Sequence, residues 1–221
     1  MMRLKKILYN EFVAGQSVGD WILIVCGLLL QVAVFMITGD STLSLVTGML
    51  GVLSVTLCSQ RKLSSFLFGV FQIGCYMLLS ARQHLYGELV ENAFYMLTTL
   101  IGIYTWSHNY DADDEGNGVQ VRRLSAKGWA ITAVAFVIGT VGSVCVLRHT
   151  NDPHPLIDAV SSVPAFVAQI LMMLRYREQW ILWIVVDVVK VALWVIQGDW
   201  CMAAQFAFWT FVCFYGLEKW K

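Results

Sequence analysis

The apolar run QWILWIVVDVVKVALW, residues 179–194, constrains the fold of this chain more than any other feature. With its flanking residues it is as long as a membrane-spanning helix, which needs roughly 20 mostly apolar residues. It nevertheless carries an acid, Asp187, and a base, Lys190, near its middle. An ionisable side chain at that depth costs about 2.5–3.5 kcal/mol on insertion scales, so such residues face a bundle interior or a wet cavity. The run therefore predicts a helix that lines a polar site inside a membrane.

One face of this predicted helix combines charged groups with aromatic rings. Asp187 and Lys190 are three residues apart, so they share a face and are close enough to pair with each other. Trp183 lies four residues before Asp187, and Trp180 and Trp194 continue nearly the same stripe. Trp183 is deep enough to contact a ligand, with packing between helices as the alternative, whereas we expect Trp180 in an interfacial aromatic belt. The face predicts the wall of a site for a polar, partly aromatic ligand.

The composition of the whole chain is that of a membrane protein. Of its 221 residues 58% are hydrophobic and 14% are charged, whereas about 25% are charged in a typical soluble domain. The net charge of zero argues against nucleic acid as a partner. The six cysteines all fall in apolar runs without CxxC spacing. We therefore expect buried small side chains rather than metal ligands or disulfides.

Eight apolar runs follow one another along the chain, and each predicts one membrane-spanning helix. They cover residues 19–37, 43–58, 63–80, 89–107, 128–147, 156–174, 180–196 and 201–217. The polar loop at residues 109–127, which contains DADDEGNG, is the stretch that we expect to be flexible. The predicted fold class is an all-α polytopic membrane protein with eight transmembrane helices.

The basic residues fix the orientation of this predicted topology. Eight spans place both termini on one side, and of the 15 Lys and Arg residues all except Arg82, Arg148 and Lys190 fall on that side or its loops. Because cytoplasmic loops carry the excess of Lys and Arg, both termini are predicted in the cytoplasm.

Similar residues recur at matching positions in the two halves of the chain. The matching pairs are Gly102 with Gly216, Trp106 with Trp220, Tyr95 with Trp209, Glu91 with Gln205 and, with one gap, Phe68 with Trp183 and Gln72 with Asp187. They predict two like-oriented three-helix repeats, residues 43–108 and 156–221. Residues 109–155 join them through a cytoplasmic loop, a linker helix and an outer loop, and residues 1–42 add a surface segment and an extra helix. Transporters with such repeats bind their ligand near the membrane midplane, at the repeat interface.

The segments LVENAFYMLTTLIGIYTW and WILWIVVDVVKVALWVIQGDW, together with the 3+1+3 layout, resemble PnuC, a family of bacterial nicotinamide riboside transporters. The resemblance covers nearly the whole chain. It implies a fold similar to the SWEET sugar transporters, a homotrimer in the bacterial inner membrane, and uptake of nicotinamide riboside, a form of vitamin B3, for NAD biosynthesis. It also implies facilitated diffusion, with a cytoplasmic kinase that traps the substrate by phosphorylation.

A cationic pyridinium nucleoside determines which groups such a site must offer. The pyridinium ring needs aromatic faces, whose cation–π contact contributes about 2 kcal/mol when desolvated. The carboxamide and the ribose hydroxyls need amide or carboxylate partners. The candidate substrate-binding residues are Phe68, Gln72, Glu91, Asn92, Tyr95, Trp183, Asp187, Lys190, Gln205 and Trp209. Buried amides have the alternative role of bonding only to neighbouring helices, and an uncompensated Lys190 would repel a cationic ligand.

Three classes of function are consistent with these residues. The first is a passive carrier with alternating access around a central site. The second is an ion- or proton-coupled transporter of a small polar metabolite, in which Asp187 titrates. The third is an intramembrane enzyme that uses Glu91 and Asp187 as acid and base. Because neither acid lies in a recognisable catalytic motif, we predict no enzyme activity. We also predict no cofactor, and no metal site because the cysteines lack CxxC spacing.

Overall fold

The computed structural model describes residue 9 and residues 11–82, 86–111, 118–149, 155–197 and 200–221. The described residues form eight long helices, which confirms the all-α class. The helices are α1 (Val18–Thr38), α2 (Thr42–Ser59), α3 (Ser64–Arg82), α4 (Tyr86–Ser107), α5 (Ala126–Leu147), α6 (Pro155–Met173), α7 (Gln179–Gln197) and α8 (Trp200–Lys219). Each predicted apolar run coincides with one helix to within three residues at both ends. Two short antiparallel strands, β1 (Tyr110–Asp111) and β2 (Gly118–Val119), lie between α4 and α5.

Within the part of the chain that the structure describes, four helices are long and apolar enough, by length and composition, to cross a membrane. These are Val18–Thr38, Thr42–Ser59, Ser64–Arg82 and, within α5, Ala126–Val146. The polar residues that make α4, α7 and α8 less apolar include Glu91, Asp187 and Gln205, and all three are buried. The span in α5, by contrast, buries none of its residues within the chain. An apolar helix with so little protein cover needs lipid or another apolar partner around it.

The helices pack as two triplets with two additional helices outside them. In the first triplet α3 packs against α2 and α4, and in the second triplet α7 packs against α6 and α8. The triplets meet where α2 contacts α8 and where α4 contacts α6. Helix α1 packs on α2 and α8, and helix α5 packs on α6. The middle helices α3 and α7 therefore border the space between the triplets.

Asp20 fixes helix α1 to helix α8. Its carboxylate accepts hydrogen bonds from the Lys219 ammonium at 2.7 Å and from the Tyr215 hydroxyl at 2.9 Å. It also accepts from the backbone N–H of Ser17, whose own hydroxyl accepts from the N–H of Asp20. This reciprocal pair is a capping box, which satisfies free N–H groups at the start of a helix. The same acid therefore begins α1 and holds it against the second triplet.

The turns that follow α2 and α6 have the same backbone geometry. Arg61 has a φ of 62° and Arg175 a φ of 66°, both in the left-handed backbone region that residues other than glycine rarely adopt. The next N–H after each arginine returns to the helix: Lys62 donates to Leu57 at 3.0 Å, and Tyr176 donates to Leu171 at 2.8 Å. Such hydrogen bonds satisfy helix carbonyls that lack an intrahelical partner. Both helices therefore end in the same way.

Residues 118–125 bind to both of these turns. The N–H of Val119 donates to the Arg61 carbonyl at 3.0 Å, and the N–H of Arg122 donates to the Arg175 carbonyl at 2.8 Å. Val119 is fully buried. We call this side of the bundle, where α2 and α6 end, the linker end. Residues 118–125 of the expected flexible loop are therefore fixed to the bundle, because Val119 is buried and two backbone N–H groups bond to the turns. Residues 112–117 of that loop lie outside the described residues.

Candidate functional site

A cavity of about 150 Å³ lies between the two triplets. Residues of all six triplet helices line it, so it forms where the triplets face each other. Eight of the ten predicted site residues are in its lining: Gln72, Glu91, Asn92, Tyr95, Trp183, Asp187, Lys190 and Trp209. The helical spacing that selected these residues therefore brings side chains of both triplets to one cavity.

Phe68 and Gln205 are not part of this lining. On α3 the cavity is lined by Phe66 and Gly69 instead of Phe68. Phe66 lies against Gly102, and a Cβ there would be 2.6 Å from the ring; Trp180 lies against Gly216 with the same 2.6 Å spacing. These two contacts are related by the same offset in numbering, which makes Gly69 rather than Phe68 the counterpart of Trp183, so the assumed gap displaces the choice by one residue.

Gln205 lies on the side of α8 that faces α2. It is almost fully buried, and its Nε2 is 3.0 Å from the position that a Cβ on Gly51 would take. Gln205 Nε2 has no hydrogen-bond partner among the described residues. Glu91, the residue at the matching position of the first repeat, does line the cavity. Matching positions in the two triplets therefore face different surroundings.

Lys190 pairs with a residue that sequence reasoning missed. Its ammonium forms an ion pair with the carboxylate of Glu88 on α4, and the Tyr76 hydroxyl on α3 donates to the other oxygen of that carboxylate at 3.2 Å. Among the described residues no ion pair joins Lys190 to Asp187, the pairing that their spacing allows. Asp187 instead accepts a hydrogen bond from the Cys213 thiol at 3.4 Å.

The polar face of α4 explains how Glu88 enters the site. Glu88 precedes Glu91 and Asn92 by three and four residues, which places all three on one helical face. The Tyr95 hydroxyl, one further turn along, donates to the Glu91 carboxylate. The Asn92 side-chain amide donates to the Glu88 carbonyl at 2.8 Å. Helical spacing alone would have found Glu88 if the predicted helix had begun one residue earlier.

Aromatic rings from both triplets meet at the cavity. The ring centroids of Tyr95 and Trp183 are 6.0 Å apart, and the ring planes meet at 66°. Trp209 lines the same space, and its indole N–H is buried without a hydrogen-bond partner among the described residues. This arrangement offers ring faces and a free donor to a ligand in the cavity.

Trp180 occupies a different place from the one expected. It is 2% exposed and lines the cavity instead of lying in an interfacial belt. Its ring stands 5.6 Å from that of Trp220 in a cluster with Trp106 and Phe66. The absence of a side chain on Gly216 lets the ring pack directly against helix α8. Tertiary packing thus draws Trp180 inward.

Gln169 is a further amide in the lining. Its Nε2 donates to the hydroxyls of Thr98 at 3.1 Å and Thr99 at 3.3 Å. These bonds tie α6 to α4 and fix the amide's orientation beside the cavity. Sequence reasoning alone does not separate such a helix-to-helix amide from a ligand contact.

The comparisons with known proteins agree on one family. The family model described as "Nicotinamide mononucleotide transporter" matches residues 41–221, a range that contains every candidate site residue. The chain is 32% identical over 209 residues to the nicotinamide riboside transporter PnuC of Neisseria mucosa, covering 90% of this chain and 79% of that protein. It is 31% identical over 194 residues to PnuC of Haemophilus influenzae, covering 87% and 86%.

A solved structure extends this likeness to the whole fold. The crystal structure of the vitamin B3 transporter PnuC matches with a TM-score of 0.86 at 28% identity, covering 100% of this chain and 96% of that chain. The resemblance seen in the sequence is therefore confirmed. The chain belongs to the nicotinamide mononucleotide transporter family, alongside the PnuC transporters.

Proposed function

We propose that this protein carries nicotinamide riboside across the bacterial cytoplasmic membrane. The observation that carries the proposal is the cavity between the triplets, which combines the rings of Trp183 and Tyr95 with the acids Glu91 and Asp187. The relatives from Neisseria mucosa and Haemophilus influenzae are named nicotinamide riboside transporters. A pyridinium nucleoside needs both kinds of group, because its ring is cationic and its ribose and carboxamide form hydrogen bonds.

The charge of the cavity favours the riboside over the mononucleotide. Its lining contains three carboxylates, Glu88, Glu91 and Asp187, and one ammonium, Lys190, which is already paired with Glu88. The described lining contains no arginine, the side chain best suited to binding a phosphate. A phosphate group would bring about −1.5 to −2 charges into this acidic space. The riboside, which lacks that phosphate, brings a positive charge instead.

The proposed membrane arrangement has eight spans with both termini in the cytoplasm. Residues 1–42 form the surface segment and extra helix, 43–108 and 156–221 the two parallel repeats, and 109–155 the connection. Support comes from equivalent contacts between the repeats: the first helix of each triplet packs on the last helix of the other, α2 on α8 and α6 on α4. Further support comes from the matching turns at Arg61 and Arg175. The homotrimer is proposed from the family resemblance, and the mass of the purified protein tests it.

Transport would proceed by alternating access and facilitated diffusion. The buried rings of Phe66, Trp106, Trp180 and Trp220 close the linker end, which is the proposed cytoplasmic end. The Glu88–Lys190 ion pair also joins the triplets, from α4 to α7. Separation of the triplets at one end and then the other would expose the cavity to each side in turn. Phosphorylation of the riboside in the cytoplasm would then make uptake directional.

Uptake into vesicles tests this function. We expect purified protein in liposomes to equilibrate labelled nicotinamide riboside without any ion gradient. Trp183→Ala should abolish most of this uptake, and Trp200→Phe, at an exposed position, should not change it. An absolute requirement for a proton gradient would favour the coupled transporter, and chemically altered substrate would favour an enzyme. Binding of nicotinamide mononucleotide in place of the riboside would refute the proposed substrate.

A further inference from the structure

We propose that Glu88 determines the charge specificity of the site by neutralising Lys190. The inference rests on the proposed transport of a cationic nucleoside. Lys190 lines the cavity and is 5% exposed, so its ammonium is close to any ligand held there. Left uncompensated, that charge would repel a pyridinium ring, and juxtaposed like charges strongly oppose binding.

The geometry assigns the compensation to Glu88. Its carboxylate contacts the Lys190 ammonium directly, and the Tyr76 hydroxyl at 3.2 Å holds the second carboxylate oxygen. The three side chains come from helices α7, α4 and α3, so the pair is fixed from both triplets. Lys190 is almost fully buried, and the Glu88 side chain is 18% exposed. Water therefore screens their interaction weakly, and the loss of Glu88 removes a strong counter-charge beside the ammonium.

The other acids near Lys190 have different contacts. Glu91 accepts a hydrogen bond from Tyr95, and Asp187 accepts one from Cys213. Both are near enough to Lys190 to interact with it electrostatically, but neither forms an ion pair with it among the described residues. With Glu88 paired to Lys190, the carboxyl groups of Glu91 and Asp187 remain in the lining as hydrogen-bonding groups for a ligand. Glu88 is thus a positioning residue: it affects ligand binding by neutralising the Lys190 ammonium and not by contacting the ligand.

The experiment compares a cation with a neutral molecule of nearly the same shape. The probes are nicotinamide riboside and its reduced 1,4-dihydro form, whose ring carries no positive charge. Both are titrated calorimetrically into the purified full-length protein. Glu88→Gln keeps the size of the side chain and should raise the Kd of the cationic form at least about tenfold, and that of the neutral form less than about threefold. The double variant Glu88→Gln/Lys190→Met should restore the cationic form to within about threefold of the wild-type Kd.

Controls separate this proposal from a structural role. Glu218→Gln breaks the ion pair with Lys221 at an exposed site outside the cavity, and it should change neither Kd. Three results would each overturn the proposal: Glu88→Gln loses affinity equally for both forms, Glu88→Gln leaves the Kd of the cationic form unchanged, or the double variant does not restore that Kd. If Glu88→Gln does not fold, Lys190→Met alone decides: it should bind the cation at least as tightly as wild type, and a selective loss of the cation overturns the proposal.

The same measurements distinguish a failure of the proposed function. Wild-type protein that binds neither form refutes riboside transport and this inference together. Wild-type protein that binds the cation, with a Glu88→Gln variant that binds it equally well, refutes only the role of Glu88.

Discussion

Trp106 and Trp220 make the same hydrogen bond in opposite directions between the two triplets. Trp106, in α4, donates its indole N–H to the Met172 carbonyl near the end of α6 at 3.0 Å. Trp220, just after α8, donates to the Ser59 carbonyl at the end of α2 at 3.1 Å. Both side chains are fully buried, and their rings are 5.7 Å apart. Reciprocal indole hydrogen bonds therefore join the two triplets at the linker end.

We predict that Trp220→Phe loosens the linker end. The change leaves a ring in place but removes the donor, so the Ser59 carbonyl loses a buried partner at a cost of about 1–3 kcal/mol. Cys58 lines the cavity next to this bond and is buried. In a variant that keeps only this cysteine, maleimide should label Cys58 faster after Trp220→Phe than before it. Trp200→Phe, at an exposed ring, is the matched control; equal labelling rates would argue against a closure at Trp220.

A second prediction separates the roles of Trp183 and Trp180. Trp183→Ala removes a ring that faces Tyr95 across the cavity, so we expect riboside affinity to fall at least about tenfold with a small change in stability. Trp180→Ala removes a ring packed among Trp220 and Gly216, so we expect a loss of about 3–5 kcal/mol of stability. Calorimetry and thermal unfolding of the purified variants check the two results. Equal losses of affinity in both would contradict this division.

Sequence patterns predicted the helices well because each is a long, mostly apolar run bounded by polar residues. They also placed Trp183, Asp187 and Glu91 at one cavity, since residues three or four apart share a helical face. The errors arose where contacts between different helices determine the partner or the burial of a side chain. The partner of Lys190 is Glu88 on another helix, and Trp180 is buried because Gly216 on α8 admits its ring. Periodicity within one helix contains no information on what the facing helix presents.

A third prediction concerns the glycines that admit these rings. A Cβ at Gly216 would lie 2.6 Å from the Trp180 ring, closer than carbon atoms approach. Gly216→Ala should therefore displace the ring and lower the stability by about 1–3 kcal/mol. Gly74→Ala is the matched control, because a Cβ at Gly74 meets no heavy atom within 4 Å. Thermal unfolding in detergent compares the two; a Gly216→Ala variant as stable as Gly74→Ala would show that the packing yields without cost.

The last prediction concerns the anchoring of α1 by Asp20, which is fully buried and ion-paired to Lys219 at 2.7 Å. Asp20→Asn keeps the shape of the side chain but removes its charge and one acceptor, while the Lys219 ammonium and the Tyr215 hydroxyl still point at it. Breaking a buried pair from one side costs about 3–5 kcal/mol, and the partial exposure of Lys219 reduces this to roughly 1–3 kcal/mol. We therefore expect a lower Tm for Asp20→Asn, whereas Glu218→Gln, which breaks the exposed pair with Lys221, should leave the Tm unchanged. Faster proteolysis at the start of α1 should accompany the lower Tm, because Ser17 loses its capping partner as well. An unchanged Tm and an unchanged cleavage rate together would mean that apolar packing on α2 and α8 holds α1 without this acid.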